Sequence, residues 1–151
     1  MRYEMYTVRR EDIASFESAL PDYVLDNCDR KGCFMIGAVD QDMNLIGMTQ
    51  FYIGMREEEF ISNVIYVYVD EAFRRQGAAS GMLDKVHSIL KKSGIAKSLA
   101  FLDRKQPEKD LFTDSGYLFM PPDKEAVEEL AGVNMSMSSP GMEQGVYWLD
   151  R

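Results

Sequence analysis

The residues whose types and spacing could do chemistry lie in one stretch of this 151-residue chain, Asp70-Glu71-Ala72-Phe73-Arg74-Arg75-Gln76-Gly77-Ala78-Ala79-Ser80. Before it runs Ile-Ser-Asn-Val-Ile-Tyr-Val-Tyr-Val over residues 61–69, rich in β-branched and aromatic residues and the strongest strand signal in the sequence. After it, Ala79, Met82, Leu83, Val86, Ile89 and Leu90 follow an i, i+3, i+4, i+7 pattern, which predicts an amphipathic helix. A strand therefore ends in a turn carrying two arginines, and glycine and alanines open a helix. Small residues let a ligand approach the backbone, and the first-turn N–H groups of a helix lack intrahelical acceptors. Those donors, the positive dipole end and the two cations form a cradle suited to a pyrophosphate. The plainer alternative is a helix start flanked by surface arginines.

Composition bounds what such a cradle can serve. The chain has the length of one domain, residues 1–151, with 46% hydrophobic and 28% charged residues, values of a folded globular protein. Its net charge of -8 argues against duplex nucleic acid or an anionic membrane surface as a partner. The charge is uneven, -2 over residues 1–105 and -6 over residues 106–151, so an anionic ligand is expected in the first two-thirds. No apolar run reaches membrane-span length, and no apolar segment follows the basic residue at the start. Cys28 and Cys33 are too few for a disulfide framework and have no ligand-spaced partner, so no metal is expected and the expected compartment is cytoplasmic.

The elements that must position the cradle read as α+β, hairpins first and strand–helix–strand later. Residues 3–8 are expected as a strand. A helix is expected from Glu11 with Ile13, Phe16 and Leu20 on one face, stopped by Pro21, and a short one over residues 23–28. Residues 34–39 and 45–53 flank a turn-forming Asp40-Gln41-Asp42-Met43-Asn44 and read as a hairpin. Lys91-Lys92 and Gly94 suit the end of the long helix. Beyond it come a strand at 97–102, a helix at 108–115, a strand at 116–120, a helix from Pro121 to about residue 131, and closing strands at 133–137 and 146–149.

The segment Arg74-Arg75-Gln76-Gly77-Ala78-Ala79 resembles the acyl-CoA-binding signature Arg/Gln-x-x-Gly-x-Gly/Ala of the GNAT superfamily of N-acetyltransferases. The Val69-Asp70 strand end, the helix with Leu83, the Leu45-Ile46-Gly47 strand start, the Arg9-to-Ile13 lead and Gly116-Tyr117 fit the same pattern over roughly residues 3–120. The resemblance implies a central mixed, mostly antiparallel sheet flanked by helices and splayed at the strand 61–69. It implies that Arg74, Arg75, Gln76, Gly77, Ala78, Ala79 and Ser80 hold the pyrophosphate of acetyl-CoA. Val67 and Val69 would bind the pantetheine arm, with an N–H near Val69 polarising the thioester carbonyl. An amine would attack the thioester directly, after losing its proton to a base. The implied acceptor is the amine of a small molecule or peptide. The oligomeric state stays open, a homodimer included.

The acid–base half departs from the family pattern. Asn63 stands where a glutamate is frequent, Phe112 where a tyrosine is frequent, and Lys105 where an asparagine is frequent. Asn63 and Tyr68 are the catalytic candidates that remain, Asn63 by orienting a water, with packing the competing role for Tyr66 and Tyr68. A catalytically silent acetyl-CoA-binding module is the alternative, and another phosphorylated ligand in the arginine turn is a third reading. His87 is expected to pack or face solvent. Glu57-Glu58-Glu59 reads as a solvated hairpin tip or, together with Asp22, Asp26 and Asp29, as an acidic lip for a cationic acceptor. Met135, Met137 and Met142 are candidate lining of an adaptable pocket.

Overall fold

The computed structural model of the protein describes residues 3–56, 58–130, 133–134 and 141–150. Its strands are β1 (Glu4–Thr7), β2 (Cys33–Val39), β3 (Leu45–Arg56), β4 (Glu59–Val69), β5 (Lys97–Asp103), β6 (Leu118–Met120) and β7 (Met142–Trp148). They form one sheet in the order β1-β2-β3-β4-β5-β7-β6, and every pairing is antiparallel except β4 with β5. The helices are α1 (Asp22–Asn27), α2 (Ala78–Lys92), α3 (Glu108–Asp114) and α4 (Lys124–Leu130).

The parallel junction decides the shape of the molecule. β4 and β5 pair only at Asn63↔Leu99 and Val64↔Ala100, after which β5 stays with β7 and the two strands diverge. The divergence starts at a bulge. β3 pairs Phe51 with Val64 and Gln50 with Tyr66, so Ile65 is the extra residue on β4. An extra residue resets the alternation of faces. Val64, Val67 and Val69 pack with α2, whereas Ile65, Tyr66 and Tyr68 pack on the opposite side.

Three layers of side chains hold the sheet. Met82, Leu83, Val86 and Leu90 of α2 have no exposed surface and cover β1–β4, each burial contributing about 1.5–3 kcal/mol. Gly47 leaves room on both sides, since a Cβ there would lie 2.6 Å from the Tyr68 carbonyl oxygen of β4 and 3.3 Å from Met82 Cε of α2. The other face of β2 and β3 is covered by Ile13, Phe16, Leu20 and Val24, and that of β5 and β7 by Ala126 and Leu130 of α4.

Several expectations shift by a residue or two, and two change in kind. Residues Arg10–Ala19 form a 3-10 helix with a kink at Phe16 (φ -128, ψ 17) rather than an α-helix. Three residues per turn put Ile13 and Phe16 on one line, and burying both favours the tighter winding. The strand expected at 133–137 is not formed at its start. Val133 and Asn134 sit in a turn, their N–H groups 3.0 and 2.9 Å from the Leu130 carbonyl oxygen, and residues 135–137 lie outside the described ones. β7 begins earlier than expected, at Met142.

His87 is buried beneath β7, 7% exposed. Its ring stacks on Tyr147 at 4.0 Å and 5°, and Nε2 lies 2.8 Å from the Tyr117 hydroxyl, itself 2.8 Å from Ser98 Oγ. Loss of hydration pushes the imidazole down to about 4, with Asp84 opposing. The folded state thus holds the neutral ring, and its contribution to stability is complete above about 6.5 and lost as pH falls through about 4. That difference corresponds to about 3 kcal/mol. In urea unfolding across pH 7 to 4, His87→Phe should show a shallower decline than the wild type. Parallel declines would mean that His87 is already charged in the folded chain.

Candidate active site

The wedge between the diverging strands is a cleft of about 580 Å³. One wall is the free edge of β4 at Tyr66, Val67, Tyr68 and Val69, and the other is one face of α3, Glu108, Leu111 and Asp114, with Pro107 before it. Its mouth is the loop that enters α2.

The loop has the form its residues predict. Asp70 stops β4, its N–H held 2.7 Å from the Ile46 carbonyl oxygen and its side chain accepting from Ala72 N–H. Arg75 and Gly77 both take left-handed backbone angles (φ 64 and 87), which turns successive N–H groups inward to form a concave nest. The first helical bond of α2 joins Gly81 N–H to the Gly77 carbonyl at 3.0 Å. The N–H groups of Ala78, Ala79 and Ser80 therefore have no helical acceptor. A Cβ on Gly77 would meet nothing within 4 Å, so the space above the nest is open. Arg74 donates from Nε to the Val69 carbonyl oxygen at 2.9 Å, which straps the loop to the strand end and leaves the terminal guanidinium nitrogens available. The first turn of α2 carries no acid. This donor set fits a pyrophosphate with a chain running from it along β4.

Val67, Tyr68, Val69, Arg74, Arg75, Gly77, Ala78, Ala79 and Ser80 are thus brought together. Gln76 is not among them. Its side-chain oxygen accepts from the Tyr3 hydroxyl at 2.9 Å and its nitrogen donates to the Ala72 carbonyl at 3.4 Å, so it fastens the loop to the chain's start.

Asn63 also lies outside the cleft, with no exposed surface. Nδ2 donates to the carbonyl oxygens of Val64 (3.1 Å) and Leu99 (3.0 Å), and Oδ1 accepts from Asn134 Nδ2 at 3.0 Å. Asn27 extends this amide stitching, donating to Gln50 Oε1 (3.1 Å) and the Val133 carbonyl (2.6 Å). The arrangement joins α1, β3, β4, β5 and the 133–134 turn, with Asn63 inside it.

Phe112 is 3% exposed and edge-on to Tyr117 at 5.0 Å, in the core and not on the cleft face of α3. Phe112→Tyr should therefore cost about 1–3 kcal/mol in urea unfolding, the range for burying an unpaired hydroxyl, without raising turnover. A stable variant with a raised rate would place position 112 at the reacting atoms.

The acidic lip is not assembled at the cleft. Glu58 and Glu59 are exposed at the far end of β4, and seven residues at about 3.3 Å each separate Glu59 from Tyr66, well beyond a screening length of about 8 Å. Glu57 lies outside the described residues, as do Met135 and Met137, while Met142 is buried under α4. Asp22, Asp26 and Asp29 are exposed on or just after α1, whose Tyr23 meets Tyr66 edge-on at 6.5 Å. Among the described residues no group of three or more His, Cys, Asp or Glu side chains is placed to hold a metal ion. Sequence reasoning missed the α3 wall. Glu108, Leu111 and Asp114 do share a helical face by spacing, but nothing local says what that face meets.

The backbone is similar to several solved acetyltransferase structures. A Klebsiella pneumoniae protein described as an acyl-CoA N-acyltransferase superposes with a TM-score of 0.72 at 14% identity, covering 97% of each chain. NAA60 of Arabidopsis thaliana, solved with a bisubstrate analogue, gives 0.68 at 12% identity over 97% of this chain and 98% of its own. The PaiA N-acetyltransferase of Thermoplasma acidophilum, solved with coenzyme A, gives 0.67 at 12% identity over 98% and 99%. At such identities these likenesses show the fold alone. No curated protein is a significant match to the sequence. The sequence profile described as "Acetyltransferase (GNAT) family" matches residues 2–117, and the chain belongs to that family.

Proposed function

We propose that the protein transfers the acetyl group of acetyl-CoA to a primary amine of a small molecule or peptide, by direct attack of the amine on the thioester. The observation that carries this reading is the wedge at the β4–β5 junction, closed at its mouth by the left-handed loop at Arg75 and Gly77. The loop amides and Arg74 would hold the pyrophosphate, and the free edge of residues 66–69 would pair with the pantetheine amides as a strand would. When bound, the thioester supplies an activated acyl carbon with a thiolate leaving group. The chain's own contribution is orientation, exclusion of water on the α3 side and movement of protons. The compartment we propose is cytoplasmic, in keeping with the free thiols Cys28 and Cys33.

Asn63, with both amide hydrogens engaged, and the buried Phe112 favour a second reading, a module that binds acetyl-CoA without turnover. Thiol release from acetyl-CoA across a panel of cationic, neutral and aryl amines separates the two. Amine-dependent release supports transfer. Saturable binding of acetyl-CoA with no release from any amine leaves the silent module.

A further inference from the structure

Three sulfur-bearing side chains meet outside the cleft. Where β1 leaves β2, the end of α1 and the start of β2 border a second cavity of about 280 Å³, which shares no residue with the β4–α3 cleft. Cys28, Cys33 and Met35 all line it. Cys28 Sγ lies 3.8 Å from Met35 Sδ. Cys33 stands two residues before Met35 in unbroken register with β3, so both leave β2 on the same face, the one turned away from α2. Both thiols are free and half-buried, and Met35 is 5% exposed.

Local backbone bonds hold the three in place. Cys28 ends α1, its N–H 3.1 Å from the Leu25 carbonyl oxygen. The chain then turns through Gly32 (φ 89), with Arg30 N–H bonded to the Asn27 carbonyl at 3.0 Å and Cys33 N–H to the Arg30 carbonyl at 3.1 Å. Gly32 in turn accepts from Ile53 N–H of β3 at 2.8 Å. The spacing of the sulfurs is informative. Three sulfurs bound to one ion at about 2.3 Å each stand about 4 Å from one another. Cys28 and Met35 already have that separation. Thiolate and thioether donors select soft ions such as Cu(I). Zinc favours a fourth ligand, commonly an imidazole, and the sole histidine, His87, lies beneath β7. Burial pushes both thiols up, Cys33 to about 11, with Arg10 opposing at Cys28 and Arg30 at Cys33. Thiols shielded in this way are poor nucleophiles, which disfavours a reactive cysteine here.

We propose that Cys28, Cys33 and Met35 form a three-sulfur site for a soft monovalent cation of the Cu(I) type, independent of the acetyl-transfer reading. The ion takes two thiolates and one thioether. Each thiol proton passes to water, and no electron is transferred. Cys28 gives up the hydrogen bond that its thiol donates to the Val24 carbonyl oxygen at 3.4 Å. The loaded site carries one net negative charge, which the charges of Arg10 and Arg30 offset. A bound ion ties the end of α1 to the start of β2, so it stabilises the folded chain.

The test presents Cu(I) as its bicinchoninate complex, under argon, to the full reduced chain and to four variants. The wild type should withdraw one Cu(I) per chain from the chelator, read as loss of the complex's colour. Even outer-shell changes weaken metal sites by about 10–100-fold, so Cys28→Ser and Cys33→Ser should each weaken affinity by about 10²-fold or more. Met35→Leu keeps the side-chain volume and should cost about 10-fold, while Met43→Leu, on the exposed β2–β3 turn, should match the wild type. Cu(I) should raise the melting temperature of the wild type and of Met43→Leu, and raise that of neither cysteine variant. Urea unfolding without metal establishes that each variant is folded. No withdrawal of Cu(I) by the wild type would overturn the site. Two Cu(I) per chain, or a Met35→Leu variant with wild-type affinity, would mean two independent thiols and overturn it as well. Tighter binding of Zn(II) than of Cu(I) would overturn its soft character. The acetyl-transfer reading, tested by thiol release, stands or falls apart from all of these.

Discussion

Gly77→Glu is expected to abolish the rise in melting temperature that acetyl-CoA gives the wild type. At a ligand concentration 100 times Kd, that rise reflects about 2.7 kcal/mol of stabilisation, several degrees for a domain of this size. Two effects of the substitution are separable. The left-handed backbone at Gly77 (φ +87) costs any other residue about 1–2 kcal/mol. The new side chain meets no protein atom within 4 Å, so it does not clash with the fold but projects into the open space above the nest. Its carboxylate then sits against the unpaired amides of the α2 N-terminus, with Arg74 and Arg75 beside it, and occupies the cradle itself. Gly77→Ala carries the backbone cost without the charge. It should melt lower than the wild type yet keep part of the ligand-induced rise, and Arg74→Ala should weaken affinity without removing it. Unchanged calorimetric affinity for acetyl-CoA in a folded Gly77→Glu protein would sink the assignment of this loop.

Asn63→Asp is expected to destabilise the fold by about 3–5 kcal/mol, the cost typical of an unpaired buried charge. Against a total of about 5–15 kcal/mol for a domain, that is a large fraction. The geometry explains the size. Asn63 has no exposed surface, and both hydrogens of its amide are given to carbonyl oxygens of Val64 and Leu99. A carboxylate has no hydrogen to give, so it would face two acceptors it repels and leave both unpaired. The bonds lost include the one to Leu99, which lies in the two-pair junction between β4 and β5. The family resemblance makes the opposite forecast, since an acid is frequent at this position and its return should speed the reaction. Urea unfolding and thiol release on the same preparation decide between them. A variant as stable as the wild type and faster than it would put position 63 at the reacting amine.

Much of this was legible in the sequence, for reasons that differ from element to element. The α2 stripe and the β-rich run of β4 were plain because burial on one face of a helix, or within a sheet, imprints its period on the residues. The loop was plain because an anion nest is built from consecutive backbone N–H groups, and its requirements of a strand end, positive φ and small residues fall within the twelve positions from Val69 to Ser80. Local chemistry of that kind needs no tertiary information. The side walls of the cleft are of the other kind. Whether a β4 residue and an α3 residue some forty positions away line one cleft depends on where β5 leaves β4 and on which face each residue takes. The extra residue at Ile65 turns Tyr66 to the side of Ile65, a shift that period-two counting along 61–69 does not contain. The side chains of Gln76 and Asn63 lie outside the cleft for a related reason: a polar side chain near a site is claimed by whichever partner packing brings first. Here those partners are Tyr3 and Asn134, both more than seventy positions away along the chain. Glu58 and Glu59 at the β3–β4 tip are carried by strand length to the end of the sheet away from the cleft. The sequence alone therefore determined the fold family and the form of the loop that enters α2, whose backbone requirements are local. Only the tertiary structure decided which side chains share the cleft, because strand divergence and register are set by contacts between distant segments.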